Sequence, residues 1–178
     1  ARAERQLTLE TGLRHALERN ELHLLYQPQV DVRTGALLGV EALLRWQHPE
    51  WGLILPAEFI PLAEETGLIL PIGDWVLEQA CVQAQAWHEA GYGSLRVAVN
   101  LSGRQLPEKT LIDSIENLFG RFPQVRGMLE VEVTESILMQ DLEETAAILD
   151  GLARLGIRIS MDDFGTGYSS LSYLKRLP

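Results

Sequence analysis

The 178-residue chain has one cysteine, Cys81. It can form no internal disulfide and no cysteine-based zinc site, and it fits a reducing compartment. Cys81 lies among apolar residues of a helical pattern and reads as core. Basic residues are scarce: 15 Lys and Arg against 25 Asp and Glu, a formal net charge of −10. Surfaces that track nucleic-acid phosphates use clustered Lys and Arg, so this balance argues against a DNA or RNA polymer as partner. A small phosphate-bearing ligand held through metal ions stays compatible with it. No apolar run approaches the roughly 20 residues of a membrane span. The opening "ARAERQLTLE" lacks the apolar core of a signal peptide. It reads as a linker over residues 1–8 arriving from an upstream region. GxGxxG and GxxxxGK[ST] fingerprints are absent, and His15, His23 and His88 show no HExxH-type spacing.

What is present is the composition of a globular domain with a core. Leu9, Leu13, Ala16 and Leu17 mark a helix face that stops at Asn20. Leu22–Val32 and Ala36–Trp46 read as strands joined by the turn Arg33–Gly35, an antiparallel hairpin. Pro56–Gly67 reads as a short helix and Pro71–Gly91 as a long one, with Trp75 and Trp87 packing against the sheet. His48, in "WQHPEWG", reads as a structural turn residue. Strands and helices then alternate: strand Leu95–Ser102, a helix marked by Leu111, Ile112, Ile115, Leu118 and Phe119, strand Met128–Ser136, and helix Asp141–Gly156. That helix has Asp141 and Glu144 at capping-box spacing. Strand Ile157–Gly165 and a helix from Ser169 to Leu177 close the chain. The alternation predicts an α/β fold with a mostly parallel sheet and one antiparallel strand at its front.

Polar groups recur near the far ends of successive strands: Glu41, Asn100, Glu132 with Glu135 just beyond, and the pair Asp162–Asp163. Functional groups of α/β sheets and barrels gather at the carboxyl ends of the parallel strands. So many carboxylates cannot share a small mouth as bare anions. A divalent cation resolves the conflict, and oxygen ligands suit Mg²⁺ or Mn²⁺ rather than Zn²⁺. Adjacent aspartates could seat two ions, as in phosphodiester cleavage. The competing reading is a polar cap on a barrel, with each Glu a solvated residue, Asn100 bonding a turn and Arg45 in a surface ion pair. "GTGYSS" is open between a phosphate cradle and a hinge or interface loop.

The longer motifs narrow this. "VEALLRWQHPEWGLILPAEFIPLAEETGLI" holds Glu41-Ala42-Leu43 with Arg45 and Trp46, and "VAVNLSGRQL", "LEVEVTES" and "MDDFGTGYSSLSYLKRLP" follow in order. From about Leu13 to its last residue the chain resembles an EAL domain, a bacterial phosphodiesterase that hydrolyses cyclic di-GMP to linear pGpG. The resemblance implies a TIM-barrel-like fold with an antiparallel first strand, placed here over residues 9–178. It implies Glu41, Asn100, Glu132 and Asp162 as ligands of one Mg²⁺ or Mn²⁺ ion. On the same resemblance Asp162 would bridge to a second ion with Asp163 beside it, and Glu41, Asp162 and Asp163 would carry the catalysis. Gln27, Leu43 and Arg45 would contact substrate, Arg45 through a phosphate. Glu135 would anchor the "DFGTGYSSL" loop, which in this family links the metals to a homodimer interface.

The family barrel continues with a strand bearing a lysine in an LKID-like motif, a later glutamate in an EGVE-like motif, and a glutamine. None is present, and Lys175 precedes the expected strand. A (β/α)₈ barrel typically needs about 250 residues. The chain is therefore expected to be an incomplete barrel, the N-terminal portion of a longer protein whose intact form is the enzyme, with little activity as a free fragment. The alternative function is a catalytically silent cyclic di-GMP receptor. An upstream GGDEF or sensory domain, a cytoplasmic location and an inner-membrane anchor elsewhere in the protein complete the expectations.

Overall fold

The computed structural model describes residues 2–106, 110–138 and 142–162. In chain order these form α1 (Arg2–Ala16), β1 (Leu22–Val30), β2 (Leu37–His48), β3 (Gly52–Ile54), α2 (Pro56–Thr66), α3 (Ile69–Glu89), β4 (Arg96–Asn100), α4 (Thr110–Arg121), β5 (Leu129–Thr134), α5 (Glu135–Leu138), α6 (Leu142–Arg154) and β6 (Arg158–Asp162). A 3₁₀ turn at Pro123–Val125 precedes β5. The segment read as a linker is helical from Arg2 onward.

The sheet runs β1-β2-β4-β5-β6, with β3 pairing β2 at the side. β1 and β2 are antiparallel, and β2, β4, β5 and β6 are mutually parallel. This is the expected α/β sheet with an antiparallel front strand. The hairpin follows from local chemistry. Asp31 Oδ1 accepts from the backbone N–H groups of Arg33 at 2.9 Å and Thr34 at 2.8 Å. Those donors hold its carboxyl below the usual carboxylate range. Gly35 then takes φ +70°, a conformation an L side chain resists.

Several boundaries differ from the sequence expectation. α3 begins at Ile69 rather than Pro71, because proline is tolerated in a helix's first turn, where its missing N–H has no partner to lose. β2 runs on to His48 because β3, a short strand not anticipated, pairs with it. β5 ends at Thr134, and Glu135 opens the short α5. Asp141 and everything after Asp162 lie outside the described residues, and with them the capping box and the final helix.

One face of the sheet is apolar. Val40, Ala42 and Trp46 of β2, Val97 and Val99 of β4, and Val131 and Val133 of β5 are buried there in one core with Phe59 of α2, Leu77 of α3, Ile115 of α4 and Leu149 of α6. Trp87 meets Tyr26 edge-on at 5.0 Å, as expected of a residue packing on the sheet. His48 is a turn residue as read: its Nδ1 accepts from the N–H groups of Glu50 and Trp51. Trp46 is fully buried, and its Nε1–H donates to Glu21 Oε2 at 3.0 Å. Glu21 is itself only 8% exposed. Trp46→Phe would strip a buried carboxylate of this donor and is expected to cost about 1–3 kcal/mol, read from urea unfolding.

Candidate functional site

Side chains on a strand alternate between faces, and residues paired across a sheet share a face. Gln27 pairs with Glu41. Glu41 pairs with Ala98, Asn100 with Glu132, Glu132 with Ser160, and Thr134 with Asp162. Stepping by two along each strand puts Gln27, Glu41, Leu43, Arg45, Asn100, Glu132 and Asp162 on one face, opposite the apolar core. The carboxylates and the amide thus climb across four parallel strands on a single surface.

Contacts link them. Asn100 Nδ2 donates to Glu41 Oε1 at 2.8 Å. Burial pushes the Glu132 carboxyl up to about 7, and the charges of Glu41, Asp162 and Glu130 push the same way. A hydrogen bond from Gln29, two residues beyond Gln27, opposes this. The like-charge repulsion expected of clustered carboxylates is thus felt at Glu132, where it adds to the larger effect of burial. Arg45 is half-buried, and its Nη1 donates to the Leu44 carbonyl at 2.9 Å. Glu135 is 3% exposed at the start of α5. Asp163 and the "DFGTGYSSL" loop lie outside the described residues.

One point departs from the sequence expectation. Glu41 sits in the middle of β2, not near its end, because β2 continues as β3's partner; it does lie close to where the parallel pairing with β4 stops, at Ala42. Among the described residues, to which Asp163 does not belong, no three Asp, Glu, His or Cys side chains form a ready-made metal cage. Glu41 and Asn100 are in direct contact, and Glu132 is coupled to Glu41 and Asp162 through their charges.

Beside this surface lies a cavity of about 780 Å³ between the ends of β2 and β4 and helices α2 and α3. Leu43, Asn100 and Thr134 line it from strands β2, β4 and β5, and Glu64, Ser102 and Gln105 from α2 and the loop after β4. The volume is within the range of small-molecule sites. The sequence reading missed this second wall. Its signal was "NLSGRQ", where polar residues follow Asn100 directly. Lower on the same face, Arg96 Nη1 donates to Glu130 Oε2 at 3.1 Å, so the polar layer is ion-paired beneath the site.

A polar, carboxylate-bearing face on parallel strands lies beside a ligand-sized cavity in an α/β protein. Residues 10–178 match the family described as the EAL domain, and the chain belongs to that family. It is 52% identical over its whole length to the bifunctional diguanylate cyclase/cyclic di-GMP phosphodiesterase MucR of Pseudomonas aeruginosa, of which it covers 26%. It is 44% identical over 99% of its length to the cyclic di-GMP phosphodiesterase NbdA of the same organism, covering 23% of that protein. Among solved structures, the MucR phosphodiesterase in complex with cyclic di-GMP superposes with a TM-score of 0.92 at 51% identity, over 96% of this chain and 69% of that one. The fold is thus that of the TIM-barrel-like EAL domains, incomplete here. The chain spans about a quarter of the length of the curated relatives it matches.

Proposed function

We propose that the protein to which this chain belongs hydrolyses one phosphodiester bond of cyclic di-GMP to give linear pGpG, using two Mg²⁺ or Mn²⁺ ions. The observation that carries the reading is the single face on which Glu41, Asn100, Glu132 and Asp162 step across four parallel strands, with Glu132 raised to about 7 by burial and its neighbours' charge. An all-oxygen donor set under that repulsion fits hard divalent cations. The relatives named as cyclic di-GMP phosphodiesterases support the substrate.

Glu41, Asn100, Glu132 and Asp162 would hold the first ion, and Asp162 and Asp163 the second. When bound, such a pair supplies Lewis acidity toward the phosphate and toward the attacking water. The chain's own residues do the rest. Arg45 offers a planar donor fork to a phosphate. Gln27 and Leu43 flank Glu41 on the same face and orient the dinucleotide. Glu135 would brace the "DFGTGYSSL" segment, and that segment a homodimer. The domain is proposed to act as residues 9–178 of a larger cytoplasmic or membrane-anchored protein with an upstream GGDEF or sensory domain.

The test incubates the full-length protein with cyclic di-GMP and Mg²⁺ or Mn²⁺ and assays for pGpG, with and without chelator. Metal-dependent pGpG formation is expected. Tight dinucleotide binding with no cleavage at any metal concentration would replace this reading by a receptor.

A further inference from the structure

We propose that Gln105 is a positioning residue for this site: seated on Gly73 of α3, its buried side chain fixes the loop after β4 and so holds Asn100 against Glu41. The inference rests on the reading of Glu41 and Asn100 as cation ligands.

The loop begins one residue beyond Asn100. Leu101 N–H donates to the Glu132 carbonyl at 2.9 Å, tying the loop's start to β5. Ser102 and Gln105 then clasp each other. Ser102 N–H donates to Gln105 Oε1 at 3.0 Å, and Gln105 N–H donates to the Ser102 carbonyl at 3.0 Å. Ser102 Oγ donates to Glu64 Oε1 at 2.7 Å and accepts from Arg104 N–H at 3.1 Å. The two residues after Asn100 are thereby fastened to β5, to α2 and, through Gln105, to α3.

Gln105 is 5% exposed, and its place depends on a glycine. A Cβ on Gly73 would lie 1.9 Å from Gln105 Nε2 and 2.6 Å from its Cδ. Glycine is unfavourable inside a long helix, and the close approach of this amide is the local reason for one here. The clasp matters because Asn100 is the amide among the four proposed ligands of the first ion. Its Nδ2 donates to Glu41 Oε1 at 2.8 Å, which leaves Oδ1 as the atom to present to a cation. Partners that orient ligands in this way typically change metal affinity or activity about 10–100-fold when lost.

The experiment uses the full-length protein with Gln105→Met, Gly73→Ala and the Gly73→Ala/Gln105→Ala double variant. Met keeps the volume of Gln without the acceptor; Ala at 105 removes the group that a Cβ at 73 would strike. Three quantities are read: Mn²⁺ affinity by calorimetry, kcat and KM for cyclic di-GMP, and hydrogen exchange of the Ser102 amide. Gln105→Met and Gly73→Ala should each weaken Mn²⁺ binding about 10-fold and speed Ser102 exchange. At saturating Mn²⁺, kcat should return close to the parent value. The double variant should be no worse than Gly73→Ala alone, because both act through one group. Unchanged Mn²⁺ affinity in a folded Gln105→Met protein, or additive losses in the double variant, overturns the role of Gln105. A parent that binds no Mn²⁺ while both single variants speed Ser102 exchange instead overturns the ligand reading and leaves the clasp standing.

Discussion

Replacing Glu41 by Gln is expected to lower the rate of cyclic di-GMP hydrolysis by on the order of 10²–10³-fold, with the thermal midpoint nearly unchanged. Glutamine preserves the shape and a carbonyl oxygen able to accept from Asn100 Nδ2, so the 2.8 Å contact survives in kind. What disappears is a full negative charge at the end of the parallel pairing between β2 and β4. The loss should fall on kcat and on the Mn²⁺ requirement, with a small change in KM. Arg45→Ala should behave in the opposite sense. Arg45 lies on the same face, two alternations further along β2, and its proposed task is to hold a phosphate in both ground and transition states. Its removal should raise KM more than it lowers kcat, as loss of uniform binding does. Steady-state kinetics on both variants separates the roles. A Glu41→Gln protein with the parental kcat would remove Glu41 from the reaction.

Much of this arrangement was legible in the sequence because it depends on period. The alternation of apolar strands with amphipathic helices fixes a parallel sheet, and "RTG" between two strands fixes the hairpin. The site was legible for the same reason: carboxylates and an amide that recur strand after strand must meet at one end of a parallel sheet. What sequence could not supply was register. Whether Asn100 lies level with Glu132 or two residues away is set by how β4 and β5 pair, a property of neither strand alone. β3 was missed because three residues after a turn carry no usable periodicity, and α5 because one helical turn cannot be told from a strand's end. The clasp between Ser102, Gln105 and Gly73 was invisible for a further reason. It joins a loop to a helix about 30 residues earlier, and only packing brings those groups together.

In the metal-free protein, stability should fall as pH rises, over a window set by Glu132. Its carboxyl titrates near 4.5 in the open chain and at about 7 in the fold. Between those values the folded protein holds a proton that the unfolded chain has released, so the slope of unfolding free energy against pH is negative. The favourable contribution is complete below the lower value and is lost once pH passes the upper one. The displacement corresponds to about 3 kcal/mol without screening, and to about 1–2 kcal/mol once partial exposure is allowed for. Two consequences follow from the burial of Glu132 in the company of Glu41, Asp162 and Glu130. Glu132→Gln should make the metal-free protein more stable at about pH 8 and little changed at about pH 4. The same substitution should abolish the rise in thermal midpoint that Mn²⁺ gives the parent at pH 8, because the cation then has less repulsion to relieve and one ligand fewer. Thermal melts across this pH range, with and without Mn²⁺, measure both. If parent and Glu132→Gln proteins trace parallel stability curves, Glu132 is an ordinary solvated carboxylate. If the curves converge at low pH and the Mn²⁺ response is lost as described, the instability of the bare site is the same physical fact as its affinity for a cation.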